Sequence, residues 1–182
     1  MVGTTNATLG VTRFLGIQYA ASPTGHRRFA DAVSLKSADQ CWAPSVLNAS
    51  TYAPFCVQSG QFQQGGSEDC LYLNVWMPSI AAAPHVPVLV YSYGGDLTDG
   101  RTDTYDLAIL ANRTGSVVVS MNYRVNIFGF LASAALSRES SRAGGRDSSG
   151  NYGFTDQIEA LRWVQRNVAN FGGDPAKVLF FG

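Results

Sequence analysis

Three cysteines, Cys41, Cys56 and Cys70, carry the most reactive side chains of this 182-residue chain. One disulfide with one thiol left over is the simplest arithmetic, and three free buried thiols in a reducing compartment is the alternative. Three Asn-x-Ser/Thr sequons, at Asn6, Asn48 and Asn112, offer side-chain amides to N-glycosylation and point the chain toward the secretory pathway. The first residues, Met1-Val2-Gly3-Thr4-Thr5-Asn6, have neither the charged nor the apolar region of a signal peptide.

The elements that position such residues are legible from hydrophobic pattern. Residues 13–19 read as a short strand, and residues 71–76 alternate, with Leu71, Leu73 and Val75 on one face and Pro78 ending the run. Residues 87–93 and 116–121 are apolar on both faces, as in strands inside a sheet. Gly94-Gly95 breaks the first of these. A short helix is predicted over 106–112 and a long one over 155–170. Thr155 would cap the long helix, and Ile158, Leu161, Val164, Val168 and Phe171 would form its apolar face. Residues 137–150, mostly Ser, Arg and Gly, read as a mobile surface loop, and residues 178–181 as a further buried strand. Strands and helices alternating at this spacing argue for an α/β fold with a mainly parallel sheet and antiparallel strands at its N-terminal edge.

Four blocks then coincide with one family. They are Phe14-Leu15-Gly16-Ile17-Gln18-Tyr19-Ala20 followed by Arg28-Phe29; Ser67-Glu68-Asp69-Cys70-Leu71-Tyr72-Leu73-Asn74-Val75; Asn122-Tyr123-Arg124 with Phe128-Gly129-Phe130-Leu131; and Gly150-Asn151-Tyr152-Gly153 with Asp156-Gln157, Ala160-Leu161-Arg162-Trp163-Val164-Gln165 and Phe171-Gly172-Gly173-Asp174-Pro175. In this order the chain resembles the N-terminal part of a type-B carboxylesterase/cholinesterase, a member of the α/β-hydrolase superfamily.

The resemblance implies acyl transfer through a serine nucleophile, with a small-molecule ester as substrate and no cofactor or metal. It treats residues 1–182 as one incomplete domain that stops at the first glycine of the nucleophile elbow, Gly182. The serine, acid and histidine would lie outside this segment, and the 182-residue chain alone is expected to be inactive. His26 and His85 do not sit where the family keeps its catalytic histidine and are expected at the surface. The early part of the oxyanion hole would fall on Gly94, Gly95 and Asp96, where glycines let N–H groups converge on one spot. Asp96 departs from the family's third glycine: its N–H donates if the backbone tolerates a side chain, and otherwise a donor worth about 2.7–4 kcal/mol is lost. The resemblance also implies a Cys56–Cys70 disulfide with Cys41 unpaired, and two buried ion pairs, Arg28 with Glu68 and Arg124 with Asp156. Cholinesterases carry a tryptophan between the matched cysteines. Residues 57–69 contain none, Phe62 being the only aromatic there, while Trp42 lies earlier and reads as core, so a choline ester is not expected. Some family members are adhesion proteins of the neuroligin type, which share a non-glycine in the glycine run. A catalytically inactive protein with a protein partner is therefore the alternative.

Composition narrows the field further. Lys+Arg and Asp+Glu are 13 each, so no basic field exists to attract nucleic acid or an anionic membrane. No run of about 18 apolar residues suggests a membrane span.

Overall fold

The computed structural model describes residues 1–35, 45–58, 66–79 and 85–182. Cys41, Trp42 and Phe62 lie outside the described residues. Six strands form one sheet: β1 (Thr4–Asn6), β2 (Val11–Gln18), β3 (Tyr72–Pro78), β4 (Val86–Ser92), β5 (Val117–Met121) and β6 (Gly173–Phe181), in the spatial order β1-β2-β3-β5-β4-β6. The pairings from β1 through β3 to β5 are antiparallel, and those of β4 with β5 and with β6 are parallel. The sheet is thus mixed, with an antiparallel N-terminal half and a parallel half. Residues of β4 and β5 pair Val88 with Val117 through Ser92 with Met121, so both strands leave the sheet at the same end. Among the described residues, no helix is long and apolar enough to cross a membrane.

The crossover from β4 to β5 runs through α1 (Ala108–Thr114), and that from β5 to β6 through α2 (Asn126–Phe130), α3 (Ala134–Arg142) and α4 (Tyr152–Asn167). Helix α1 starts two residues later than its pattern suggests, because Asp106 stays outside it. The Asp106 carboxylate instead accepts from Ala108 N–H at 3.1 Å and from the Trp76 indole at 2.9 Å.

Three expectations need correction. Helix α4 begins at Tyr152, preceded by Asn151 in the left-handed region (φ 60°) with no capping bond from its side chain, and Thr155 lies inside it, donating to the Tyr152 carbonyl. Of the expected apolar face, Val164, Val168 and Phe171 are buried and Leu161 packs on the core, while Ile158 is 48% exposed; Tyr152, Asp156, Glu159, Ala160 and Trp163 are buried beside them. The two carboxylates sit inward because arginines meet them, Asp156 with Arg124 and Glu159 with Arg166, so the inner face is wider than its apolar residues. Residues 137–150 are not all loop: α3 runs to Arg142, with Ser133 as its cap accepting from Leu136 N–H at 3.2 Å. That helix buries no side chain, which is why hydrophobic pattern did not mark it. Finally, residues 178–181 are not buried here: among the described residues β6 pairs only with β4, and Leu179 is 60% and Phe180 44% exposed. Pro175, lacking an N–H, falls in the register shift between the Val86–Gly173 and Val88–Val178 pairs.

Candidate functional site

Beyond β4 and β5 the chain is fixed by two tyrosines. The Tyr93 hydroxyl donates to the Tyr123 carbonyl at 2.6 Å and accepts from the Tyr123 N–H at 3.2 Å; the Tyr123 hydroxyl donates back to the Tyr93 carbonyl at 2.8 Å. Their rings stack at 4.3 Å with 14° between planes. Burial pushes both hydroxyls above the ordinary tyrosine value. Each side chain satisfies the other's backbone, so the two strand ends are registered before the chain turns away.

The turn that follows carries the candidate donors. Gly95 has φ 132°, and a Cβ there would lie 2.1 Å from the Asp99 carbonyl oxygen, so glycine is required. Its own carbonyl accepts from Thr98 N–H at 2.9 Å and Asp99 N–H at 3.2 Å. Asp96 (φ 54°) and Leu97 (φ 60°) are left-handed, a conformation that aspartate tolerates better than most residues. Asp96 is exposed, so the backbone does accommodate a side chain at this position. Among the described residues, the N–H groups of Gly94, Gly95 and Asp96 have no protein acceptor. A Cβ on Gly94 would meet nothing within 4 Å, so the space beside that residue is open. Successive N–H groups without a protein acceptor are donors that an anionic oxygen can use.

The loop is anchored beyond the donors. Asn126 N–H, at the start of α2, donates to the Leu97 carbonyl at 2.7 Å. The buried Gln58 amide brackets Gly100, accepting from its N–H at 2.6 Å and donating to its carbonyl at 3.0 Å. Sequence reasoning singled out neither Gln58, Asn126 nor Tyr123 for these tasks. Gln58's place two residues after Cys56 was the one available hint.

Behind the loop, Arg124 meets Asp156 through three bonds: backbone N–H and Nε to Oδ2 at 3.0 and 2.8 Å, and Nη2 to Oδ1 at 2.8 Å. Nη2 also donates to the Ala30 carbonyl at 2.8 Å. Burial pushes the Asp156 carboxyl above its ordinary value, and the bonds from Arg124 pull it back. Alongside, the buried Tyr19 hydroxyl donates to the Asn122 carbonyl at 2.7 Å.

Arg28 and Glu68 form a bidentate pair at 2.6 and 2.7 Å, but not a buried one: their side chains are 44% and 25% exposed. The expectation of burial fails because this pair lies at the surface rim instead of under a helix. Cys56 and Cys70 form a disulfide with an S–S distance of 2.07 Å. Arg28, Glu68, Arg124 and the disulfide line one small cavity of about 10 Å³, so the structural residues converge even though the donors lie elsewhere. The sequon residues Asn6, Asn48 and Asn112 are exposed, as are His26 and His85. Asn6 accepts from Thr8 and Leu9 N–H, and Asn112 donates to the Leu9 carbonyl.

Comparison with known proteins gives these features a context. The model of the carboxylesterase family matches residues 1–182. The chain is 40% identical to the fumonisin B1 esterase of Sphingopyxis macrogoltabida, over 94% of this chain and 31% of the relative. It is 38% identical to liver carboxylesterase B-1 of Rattus norvegicus, over 96% of this chain and 31% of that protein. Among solved structures, a thermophilic PNB esterase superposes with a TM-score of 0.81 at 35% identity, covering 99% of this chain and 36% of the other. A Geobacillus stearothermophilus carboxylesterase gives 0.77 at 35% identity, covering 99% and 35%. The chain spans about a third of the length of the relatives it matches.

Proposed function

Since the chain belongs to the carboxylesterase family, we propose that the full-length protein is a serine carboxylic-ester hydrolase and that residues 94–96 supply donors of its oxyanion hole. The observation that carries this reading is the run of three unpaired N–H groups at the end of β4, on a loop fixed at both ends. In the reaction a serine attacks the ester carbonyl while a histidine, oriented by an acidic residue, takes its proton. The carbonyl oxygen gains the negative charge, and N–H groups already aimed at it need no reorganisation. The alcohol leaves, and water then releases the acyl group from the serine. Residues 1–182 contain no G-x-S-x-G, so in this reading they form the first part of a single α/β-hydrolase domain whose triad other residues supply. A polypeptide of these 182 residues alone would not turn over ester. That the relatives above are named as esterases favours the enzyme over the adhesion reading.

The substrate in this reading is a small-molecule carboxylic ester. Choline esters are disfavoured by the missing tryptophan in residues 57–69. The Cys56–Cys70 disulfide and the exposed sequons support passage through the secretory pathway.

The test uses purified full-length protein. It should hydrolyse p-nitrophenyl acetate well above a denatured control, prefer aryl or alkyl esters to choline esters, and take up one equivalent of an organophosphate on a serine. Full-length protein that neither hydrolyses aryl esters nor becomes phosphorylated would overturn the reading.

A further inference from the structure

We propose that Gln58 is a positioning residue for the oxyanion segment and acts on it through Gly100; this rests on the ester-hydrolase reading above. Gln58 is buried, and both ends of its amide address one residue: Oε1 accepts from Gly100 N–H at 2.6 Å and Nε2 donates to Gly100 O at 3.0 Å. Nε2 also donates to the Cys56 carbonyl at 2.9 Å. The primary amide thus gives Gly100 the donor and acceptor that a neighbouring strand would give.

Gly100 is where the loop closes on itself. It has φ 134°, and a Cβ on it would lie 2.2 Å from the Tyr93 ring and 2.6 Å from the Gly94 carbonyl oxygen. Its backbone therefore packs directly on the Gly94 carbonyl. That carbonyl and the Gly95 N–H belong to one rigid peptide plane, so what fixes the first also aims the second. Gln58 sets Gly100, Gly100 limits the Gly94–Gly95 peptide, and the peptide orients a candidate donor.

The support of Gln58 is itself stiff. Two residues away Cys56 is crosslinked to Cys70, and between them the Val57 carbonyl accepts from Asn126 Nδ2 at 3.3 Å. Asn126 is the same residue whose N–H holds the Leu97 carbonyl. The strip 56–58 thus touches the donor loop at Gly100 directly and at Leu97 through Asn126.

The experiment compares full-length wild type with Gln58→Ala, Gln58→Asn and Gln58→Glu. Active sites are titrated with an organophosphate, so that kcat refers only to competent molecules. With p-nitrophenyl butyrate, Gln58→Ala should lose about 100-fold in kcat with KM nearly unchanged, the size expected when a reacting group is misplaced by about 1 Å. Affinity for a trifluoromethyl ketone, which forms an oxyanion on the serine, should fall by the same factor as kcat/KM. Affinity for the matching non-fluorinated alcohol should not. Gln58→Glu keeps an acceptor for Gly100 N–H and regains a donor when protonated, so its rate relative to wild type should rise as pH falls. Where Gln58→Ala does not fold, Gln58→Glu and its pH profile carry the test. Variants that lose thermal stability but keep wild-type kcat per titrated site and wild-type ketone affinity overturn the proposal and leave the esterase reading intact. Wild type that hydrolyses no ester overturns both.

Discussion

Arg124 and Arg28 grip their carboxylates with the same two-pronged geometry, in surroundings that differ chiefly in access to water. The Arg124–Asp156 bonds through Nε and Nη2 are 2.8 Å each, and the Arg28–Glu68 bonds are 2.6 and 2.7 Å. The first pair is 4% and 0% exposed, the second 44% and 25%. The tighter distances thus belong to the pair with less to contribute. A surface pair exchanges water for a partner at nearly equal free energy. A buried pair has no water to return to, and losing one partner strands a charge. Arg124 also reaches the Ala30 carbonyl and lies over the Tyr152 ring at 5.6 Å. It therefore joins the N-terminal segment, the strand end and α4 at one point. Bond length alone does not rank ion pairs; what surrounds them does.

The contrast can be broken by mutation. In urea unfolding of the full-length protein, Arg124→Met should cost about 3–5 kcal/mol, because Asp156 is left charged and buried. Arg124→Met combined with Asp156→Leu should recover much of that loss. A double variant no more stable than the single would show that shape, not charge, holds this corner. Replacing Cys56 and Cys70 by alanine should cost about 3 kcal/mol by freeing the unfolded chain, with part of the loss falling on the rim that presents Glu68. Unchanged unfolding midpoints in the presence and absence of reductant would contradict this.

Tyrosine titration sharpens the same contrast. Burial first, and the neighbouring Asp156 second, raise Tyr19 well above the ordinary value of 10.0. On the other side, half-buried Tyr72 is pushed up to about 12 by burial and by Asp69. Above pH 10 the unfolded chain has released these protons and the folded chain has not. The unfolded state then binds fewer protons, so stability falls as pH rises. Melting temperatures should decline from about pH 10 upward, and Tyr19→Phe should flatten part of the slope; a melting curve unaffected between pH 9 and 11 would refute it. The smallest effect is expected from Arg28→Met, whose unfolding midpoint should stay close to wild type and vary little with salt. A loss comparable to that of Arg124→Met would end the distinction between the two pairs.

Much of this was legible in the residues, for physical reasons that also mark the limits. The runs Val88-Leu89-Val90 and Val117-Val118-Val119 announce strands covered on both faces, and the sheet places them side by side. Helix α4 announces its inner side through Leu161, Val164, Val168 and Phe171, whereas the burial of Glu159 is not written there, because it depends on Arg162 and Arg166 reaching back to it. Helix α3 was missed because nothing on it is buried. The family blocks brought the paired residues, yet sequence does not report that Arg28 lies at a rim. Gly94 and Gly95 announced a turn, whereas the amide that closes it, Gln58, has no sequence signature: a glutamine at a surface and one buried against a glycine backbone are written alike.

The order β5-β4-β6 has a consequence for synthesis. Strand β4 leaves the ribosome before either neighbour exists. Val90 pairs with Val119 on one side and with Phe180, about 90 residues later, on the other. At about 5–20 residues per second, its second edge stays open for about 5–20 s after it emerges. During that interval an apolar strand with an unpaired edge is exposed to every other nascent chain nearby. Translation speed between β4 and β6, and whatever shields the strand meanwhile, should therefore govern how much of this protein reaches its native sheet.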